Sequence, residues 1–129
     1  MSRDRGTRAP HWLVRYLRQA GWPSAEVTGA GRKGTDVLGT PGIVWENKTA
    51  NEWRVKQWVE QAKSHTRDGI DLPVTVYWPN GVGETTPEAA MAILPMPDLV
   101  CLLIEAGYTG ARPRLVEALK KALSVQVEG

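Results

Sequence analysis

The sequence predicts a small α/β domain in which helices flank a small mixed sheet. Two observations support this class. Apolar residues recur at helical spacing near the start, middle and end of the chain, and β-branched or aromatic runs bounded by Gly or Pro lie between them. The order of helix, strands, helix, strand and helices is typical of an α/β or α+β domain. The 129 residues are enough for one domain with its own core.

The first predicted helix starts at Pro10. Proline suits the first helical position because the N–H that it lacks would have no partner there. One apolar stripe follows, formed by Leu13, Tyr16, Leu17 and Ala20. Gly21 ends the helix. Residues 1–8 are polar and basic, so we expect them to form a loose arm.

Several strands are predicted in the middle of the chain. Residues 25–28 can form a short strand, and residues 35–38 and Ile43–Lys48 are predicted to form a β-hairpin around a tight Gly-rich turn. Residues 74–78 form a β-branched and aromatic run between two prolines, which predicts a further strand.

A second helix is predicted directly after the hairpin. Residues 49–52 (TANE) match a capping box, and the helix extends to about Ser64. Its apolar stripe is Val55, Trp58, Val59 and Ala62. Further on, residues 92–94 can form a strand, and residues 99–106 and 113–123 are predicted to be helices.

Basic residues are concentrated in the first half of the chain. Residues 1–67 carry 12 Lys and Arg against 6 Asp and Glu, whereas residues 68–129 carry 4 against 8. Because phosphate contacts come mainly from Lys and Arg, this excess suggests a face for a polyanion. An uneven but merely solvated charge distribution is the alternative.

Composition argues against several classes of protein. No stretch approaches the roughly 18 consecutive apolar residues of a membrane span, so no membrane association is expected. Cys101 is the only cysteine and cannot form an intramolecular disulfide. With only His11 and His65, a zinc site is not expected. We expect a soluble protein of a reducing compartment.

Three charged residues on the predicted hairpin can form a metal site. Glu46 and Lys48 are two residues apart, so their side chains share one face of a strand, and a short hairpin brings Asp36 beside them. Two carboxylates and a strand carbonyl make an all-oxygen site that suits Mg²⁺ or Mn²⁺. Such a metal activates water, and a neighbouring lysine stabilises charge on a phosphate, which together suffice for phosphodiester hydrolysis.

The alternative interpretation of these three residues is an ordinary ion pair at the solvated end of a strand. Three features favour a catalytic site. The acidic residues have apolar neighbours, where an unpaired charge is costly. A Gly-rich loop with Arg32 and Lys33 leads directly into Asp36. A helix with Gln61 follows the lysine.

These motifs resemble a known nuclease superfamily. The segments 34–38 (GTDVL) and 45–48 (WENK), followed by a helix with Gln61, are similar to the motifs of PD-(D/E)xK nucleases. Within that superfamily the chain most resembles the archaeal-type and phage-type Holliday junction resolvases. Further matches to their frame are Arg5-Gly6, Gly21-Trp22, Gly29 and Gly31. The resemblance covers about residues 5–65 and implies a restriction-endonuclease-like core.

The resemblance also implies roles for individual residues. Asp36 and Glu46 would bind Mg²⁺ or Mn²⁺ together with the backbone carbonyl of Asn47. Lys48 would be the catalytic lysine, and Gln61 would be a supporting contact in the site.

One position departs from the junction resolvases, which carry a metal-binding glutamate near the start of the first helix. Pro10 and then His11 stand there in this chain. Either His11 or Glu26 takes the place of that glutamate, or the metal is held by fewer protein ligands and more water.

The predicted function is that of a Mg²⁺-dependent, structure-selective DNA endonuclease. It would act as a homodimer on branched DNA such as a four-way junction, in the cytoplasm of a prokaryotic or phage-infected host cell, and its twofold symmetry would match the junction. The alternatives are a nuclease of the same superfamily acting on linear duplex, ends or flaps, and a non-catalytic DNA-binding protein. The residues expected to contact phosphates are Arg5, Arg8, Arg15, Arg18, Arg32 and Lys33.

The chain is expected to be a single nuclease domain over residues 1–129, with a catalytic core over 9–80 and a helical C-terminal extension over 81–129. His65 lies at a helix end, where a cap or a surface position is expected. Trp53 and Trp58 are expected in the core or at a dimer contact rather than stacked on bases.

Overall fold

The structure of the protein is a computed structural model that describes residues 2–29 and 34–108. The chain divides into two units, of which the first ends at Leu94 and the second begins at Pro95. The described residues form helices and small mixed sheets, so the predicted α/β class is confirmed. The division falls later than the expected start of the C-terminal extension at residue 81, because a strand beyond that point pairs with the sheet of the first unit.

The elements have the following bounds. In the first unit, helix α1 spans Ser2–Ala20 and helix α2 spans Val55–Ser64. The strands are β1 Glu26–Val27, β2 Val37–Leu38, β3 Ile43–Lys48, β4 Leu72–Tyr77 and β5 Met91–Ile93, and a 3₁₀ turn, Pro87–Ala89, precedes β5. In the second unit, helix α3 spans Met96–Glu105.

The first unit contains a three-stranded mixed sheet in which β4 lies between β3 and β5. β3 and β4 are parallel and are connected through α2, whereas β5 is antiparallel to β4. Side chains along β3 and β4 alternate between two faces. One face lies against α2, which buries Trp58 and Ala62. The other face contributes to the hydrophobic core with α1, where Trp12 packs edge-on against Trp78 at 5.3 Å between ring centroids.

Helix α1 begins earlier than the sequence predicts. Pro10 lies inside the helix rather than at its first position, so the expected loose arm is helical over residues 2–8. Pro10 removes only one backbone donor from the helix. The early turns are held by Arg5, whose guanidinium donates to three carbonyls after β4, those of Trp78, Pro79 and Val82.

The prediction that β2 and β3 pair as a β-hairpin is wrong. β2 pairs with β1 in an antiparallel ladder, and β3 pairs with β4 instead. The two predicted partners are still neighbours, because Asp36 N–H donates to the carbonyl of Trp45 at 2.8 Å. The ladder does not continue because the hydroxyl of Thr35 accepts the Trp45 N–H at 2.8 Å in place of a strand carbonyl.

Helix α2 begins at Val55, so the predicted capping box at residues 49–52 is wrong. Arg54 occupies the N-cap position, and no side chain caps the helix there. Residues 49–54 instead pass over Tyr77, whose hydroxyl donates to the carbonyl of Ala50 at 3.3 Å. Residues 49–52 therefore contact β4 through Tyr77 and do not cap α2.

The remaining predicted elements lie partly in the described chain. β5 agrees with the strand predicted near residues 92–94, and α3 agrees with the helix predicted over 99–106. The helix predicted over 113–123 lies outside the described residues. None of the helices in the described chain is long and apolar enough to cross a membrane.

Candidate active site

The predicted site residues lie around the end of β3. Glu46 and Lys48 are two residues apart on this strand and face α2, as the contact between Lys48 and Gln61 shows. Asp36 immediately precedes β2 and approaches β3 from its other edge. The fold thus brings Asp36, Glu46, Lys48 and Gln61 together.

Backbone and side-chain hydrogen bonds hold Asp36 in place. Its Oδ2 accepts the backbone N–H of Asn47 at 2.7 Å and the Asn47 side-chain amide at 3.3 Å. Its own backbone bonds to the carbonyl of Trp45 on one side and to the N–H of Thr28 on the other. Within the part of the chain that the structure describes, both hydrogen bonds to this carboxylate are accepted by Oδ2.

Glu46 carries a carboxylate in a buried position, with only 6% of the residue exposed. Burial raises the pKa of Glu46, and the nearby negative charge of Asp36 raises it further, whereas Lys48 and then His65 act in the opposite direction. The two carboxylates are therefore close enough to repel each other. A buried acid beside a second acid costs free energy and is typical of functional sites.

Lys48 is fixed between the strand and the helix. Its Nζ lies 3.2 Å from Glu46 Oε1 and donates to Gln61 Oε1 at 2.8 Å. Its side chain is mostly buried, and these two contacts place the ammonium group beside the Glu46 carboxylate. Gln61 therefore orients the lysine through its amide oxygen.

The arrangement provides oxygen ligands for a divalent metal. The backbone N–H of Asn47 points to Asp36, and the carbonyl of the same residue lies at the same edge of the strand. The Asn47 side chain is fixed by Trp78, whose Nε1 donates to its Oδ1 at 2.9 Å. Asp36, Glu46 and this carbonyl form a donor set that fits Mg²⁺, an ion that commonly takes one or two carboxylates and several waters.

No third acidic or histidine ligand completes this set among the residues that the structure describes. No group of three or more His, Cys, Asp and Glu side chains is placed there to hold a metal ion. His11 is exposed on α1 and Glu26 is exposed on β1, and neither has a described contact with Asp36 or Glu46. The expectation that one of these two replaces the missing glutamate has no support, which leaves the alternative of fewer protein ligands and more water.

The sequence interpretation missed His65 as a neighbour of the site. Its backbone N–H caps α2, as expected, and His65 is also the smallest of the influences that lower the pKa of Glu46. Residues four apart share a helix face, so the spacing from Gln61 to His65 was the available signal.

The basic residues predicted to contact DNA differ in their availability. Arg5 is committed to the carbonyls after β4, so its assignment to phosphate contact has no support. Arg8 is exposed and lies over the Trp12 ring. Arg15 is exposed and pairs with Glu84, and Arg18 donates to the carbonyl of Ala25. The last two, Arg32 and Lys33, lie outside the described residues.

No family model, no curated protein and no solved structure matches the chain. Its function is therefore argued from the geometry of the site.

Proposed function

We propose that the protein is a metal-dependent endodeoxyribonuclease with a restriction-endonuclease-like core of the PD-(D/E)xK type. The observation that carries this proposal is the convergence of Asp36, Glu46 and Lys48 at the end of β3, with the two carboxylates close enough to raise the pKa of Glu46. Burial of the Glu46 carboxylate costs free energy that an apolar residue of similar volume would avoid, so its presence beside Asp36 and Lys48 supports a functional role.

Each residue has a distinct task in this proposal. Asp36, Glu46 and the carbonyl of Asn47 would hold Mg²⁺ or Mn²⁺. When bound, this ion supplies Lewis-acid activation of the phosphate and a water of lowered pKa. Lys48 places a positive charge where the phosphate gains negative charge, and Gln61 keeps that ammonium group in position.

Branched DNA is the proposed substrate, and a homodimer is the proposed active form. The basic first half of the chain supports binding to a polyanion. One candidate metal site is found in the described chain, so two opposed cuts in a four-way junction require two copies related by a twofold axis. Such a nuclease would meet its substrate in the cytoplasm of a prokaryotic or phage-infected host cell.

The proposal is tested by cleavage of matched DNA substrates. Purified protein is incubated in Mg²⁺ with a four-way junction that has a mobile core, with a flap, and with linear duplex of the same sequence. We expect cuts in the junction and little cleavage of the linear duplex. Equal cleavage of all three would retain the nuclease and reject the preference for junctions.

A non-catalytic DNA-binding protein is the second candidate. The lack of a third acidic or histidine ligand among the described residues favours it. This candidate predicts salt-sensitive binding to junctions or duplex, with no cleavage when Mg²⁺ or Mn²⁺ is added.

A further inference from the structure

Trp53 is an exposed aromatic residue close to the candidate site. It is 56% exposed, whereas Trp22, the next most exposed tryptophan, is 37% exposed. Burying an indole contributes strongly to stability, so a tryptophan that remains more than half exposed after folding is unusual. Of the two positions expected for Trp53, the core is therefore wrong and the dimer contact stays a prediction, whereas Trp58 is buried as expected.

Two other aromatic rings hold the exposed indole in a defined orientation. Trp53 packs edge-to-face on Tyr77 at 4.7 Å and on Trp58 at 5.5 Å between ring centroids. Trp58 and Tyr77 stack on each other, and Tyr77 is tied to Ala50 by a hydrogen bond. A ligand that stacks on Trp53 would thus meet an indole that is already ordered, which reduces the entropic cost of binding.

The cluster formed by Trp53, Trp58 and Tyr77 lies next to Lys48, the catalytic lysine of the proposed function. Tyr77 is the register partner of Lys48 across the parallel pair β3 and β4. Paired residues in neighbouring strands project to the same face of the sheet. Trp53 therefore packs on the residue that is the register neighbour of Lys48.

The surroundings of Trp53 are basic and open. The charged residues beside the indole are two cations, Arg54 and Lys56, and one carboxylate, Glu60. Lys56 is exposed and forms no ion pair within the described chain. An open depression of about 570 Å³ adjoins the indole and is lined by Trp53, Arg54, Val55, Lys56, Gln57 and Glu60.

We propose that Trp53 is a stacking platform for an unpaired base of a DNA strand whose phosphate lies at Lys48. This inference rests on the proposed function for the identity of the strand. Any base has a π-face that can stack on an indole, and nearby cations attract the phosphates, so recognition would depend on strand structure and not on sequence. Unpaired bases at a branch point or frayed end would bind there, whereas bases inside a continuous duplex are already stacked.

The test measures affinity in EDTA at one fixed salt concentration, so that it does not depend on cleavage. The probes are an oligothymidylate, an abasic strand of the same length, and a fully paired duplex. The variants are Trp53→Ala, Trp53→Phe and, as a matched control, Trp22→Ala. Thermal melting of each variant verifies that it is folded.

We expect Trp53→Ala to weaken oligothymidylate binding by about 5- to 100-fold, the usual effect of losing one stacked base. Trp53→Phe should keep most of the affinity, and Trp22→Ala should bind like the wild type. On the abasic strand, Trp53→Ala should have no further effect, because that strand has phosphates but no base to stack. Equal affinity of Trp53→Ala and wild type for oligothymidylate would overturn the inference, as would an equal loss on the abasic strand.

The outcomes separate this inference from the proposed function. If the wild type cleaves junctions but Trp53→Ala binds and cleaves normally, only the stacking platform is rejected. If the wild type cleaves nothing but Trp53→Ala loses oligothymidylate affinity selectively, the nuclease is rejected and the base-binding site remains.

Discussion

Glu46 is the residue whose environment is least explained by stability alone. Its carboxylate is buried beside Asp36, and both burial and that neighbour raise its pKa. Lys48 offsets this effect only in part. A residue that destabilises the fold at neutral pH is expected where a function needs its charge.

Replacing Glu46 by glutamine should stabilise the metal-free protein. The pKa of Glu46 is raised in the folded state, so the folded protein binds more protons than the unfolded chain between the ordinary glutamate pKa and the raised one. Stability therefore falls as pH rises through that window, and the loss is complete once the pH exceeds the raised pKa. Glu46→Gln removes this loss and should raise the free energy of unfolding by about 0.5–2 kcal/mol.

Thermal melting in EDTA from acidic to neutral pH measures this effect. Glu88→Gln, which changes an exposed glutamate, is the matched control. The gain for Glu46→Gln should grow from acidic to neutral pH. If the Glu46→Gln protein is no more stable than the wild type at neutral pH, the ionised Glu46 carboxylate does not destabilise the folded protein.

In the proposed nuclease, Gln61 would be a positioning residue that acts through Lys48. Gln61→Ala should lower the rate of junction cleavage by about 10-fold, the lower end for losing a partner that orients a site residue. Junction affinity in EDTA should stay within about twofold, because Lys48 keeps its charge. Gln19→Ala, an exposed glutamine on α1, is the control. Equal cleavage by Gln61→Ala and wild type would remove Gln61 from the site.

At the scale of elements, Thr35 determines how β2 meets β3. Its hydroxyl accepts the N–H of Trp45 at 2.8 Å and bonds to the backbone of Val37. This side chain thereby places Asp36, the next residue, against β3. The two acidic segments are thus joined by the Thr35 hydroxyl, by one backbone bond and by the bonds that Asp36 accepts from Asn47, and not by a continuous ladder.

Thr35→Val should destabilise the protein by about 1–3 kcal/mol, because it leaves the Trp45 N–H without its acceptor. It should also reduce cleavage, since Asp36 would lose its fixed position. Thr35→Ser keeps the hydroxyl and should restore most of both properties. Urea unfolding with a cleavage assay compares the three proteins, and a Thr35→Val protein as stable as Thr35→Ser would contradict this role.

The sequence predicted those parts of the fold that depend on local pattern. Alternation along Ile43–Lys48 placed Glu46 and Lys48 on one face, and helical spacing identified Trp58 and Ala62 as buried. The wrong predictions all involve contacts distant in sequence. Arg5 near the start of α1 is hydrogen-bonded to the loop after β4. The hydroxyl of Tyr77 is hydrogen-bonded to Ala50, within the segment that was predicted to cap α2.

The sequence predicted which residues form the candidate site, but it did not predict the strand pairing and hydrogen bonds that bring them together. Spacing brought Asp36, Glu46 and Lys48 together, although the expected hairpin is not what joins them. The exposure of Trp53 was not predictable, because apolar spacing alone does not show which tryptophan faces solvent. The exposed fraction of Trp53 in the folded chain shows that the indole lies outside the core.

At the scale of the whole molecule, the formal net charge of +2 conceals a basic first half and an acidic second half. The structure refines where that basic charge is available. Arg5 and Arg18 are bonded to backbone carbonyls, whereas Lys56 in the first turn of α2 forms no ion pair within the described residues. The surface around α2 and the end of β3 is therefore the best candidate for phosphate contact.

The most direct test of the central claim is the Mg²⁺ dependence of junction cleavage by the wild type and Asp36→Asn. Asp68→Asn, which changes an exposed aspartate outside the site, is the matched control. The wild type and Asp68→Asn should cut the junction in Mg²⁺ and not in EDTA, and Asp36→Asn should bind the junction but cut it at least about 100-fold more slowly. No cleavage by the wild type, or undiminished cleavage by Asp36→Asn, would contradict the assignment of Asp36, Glu46 and Lys48 as a nuclease centre.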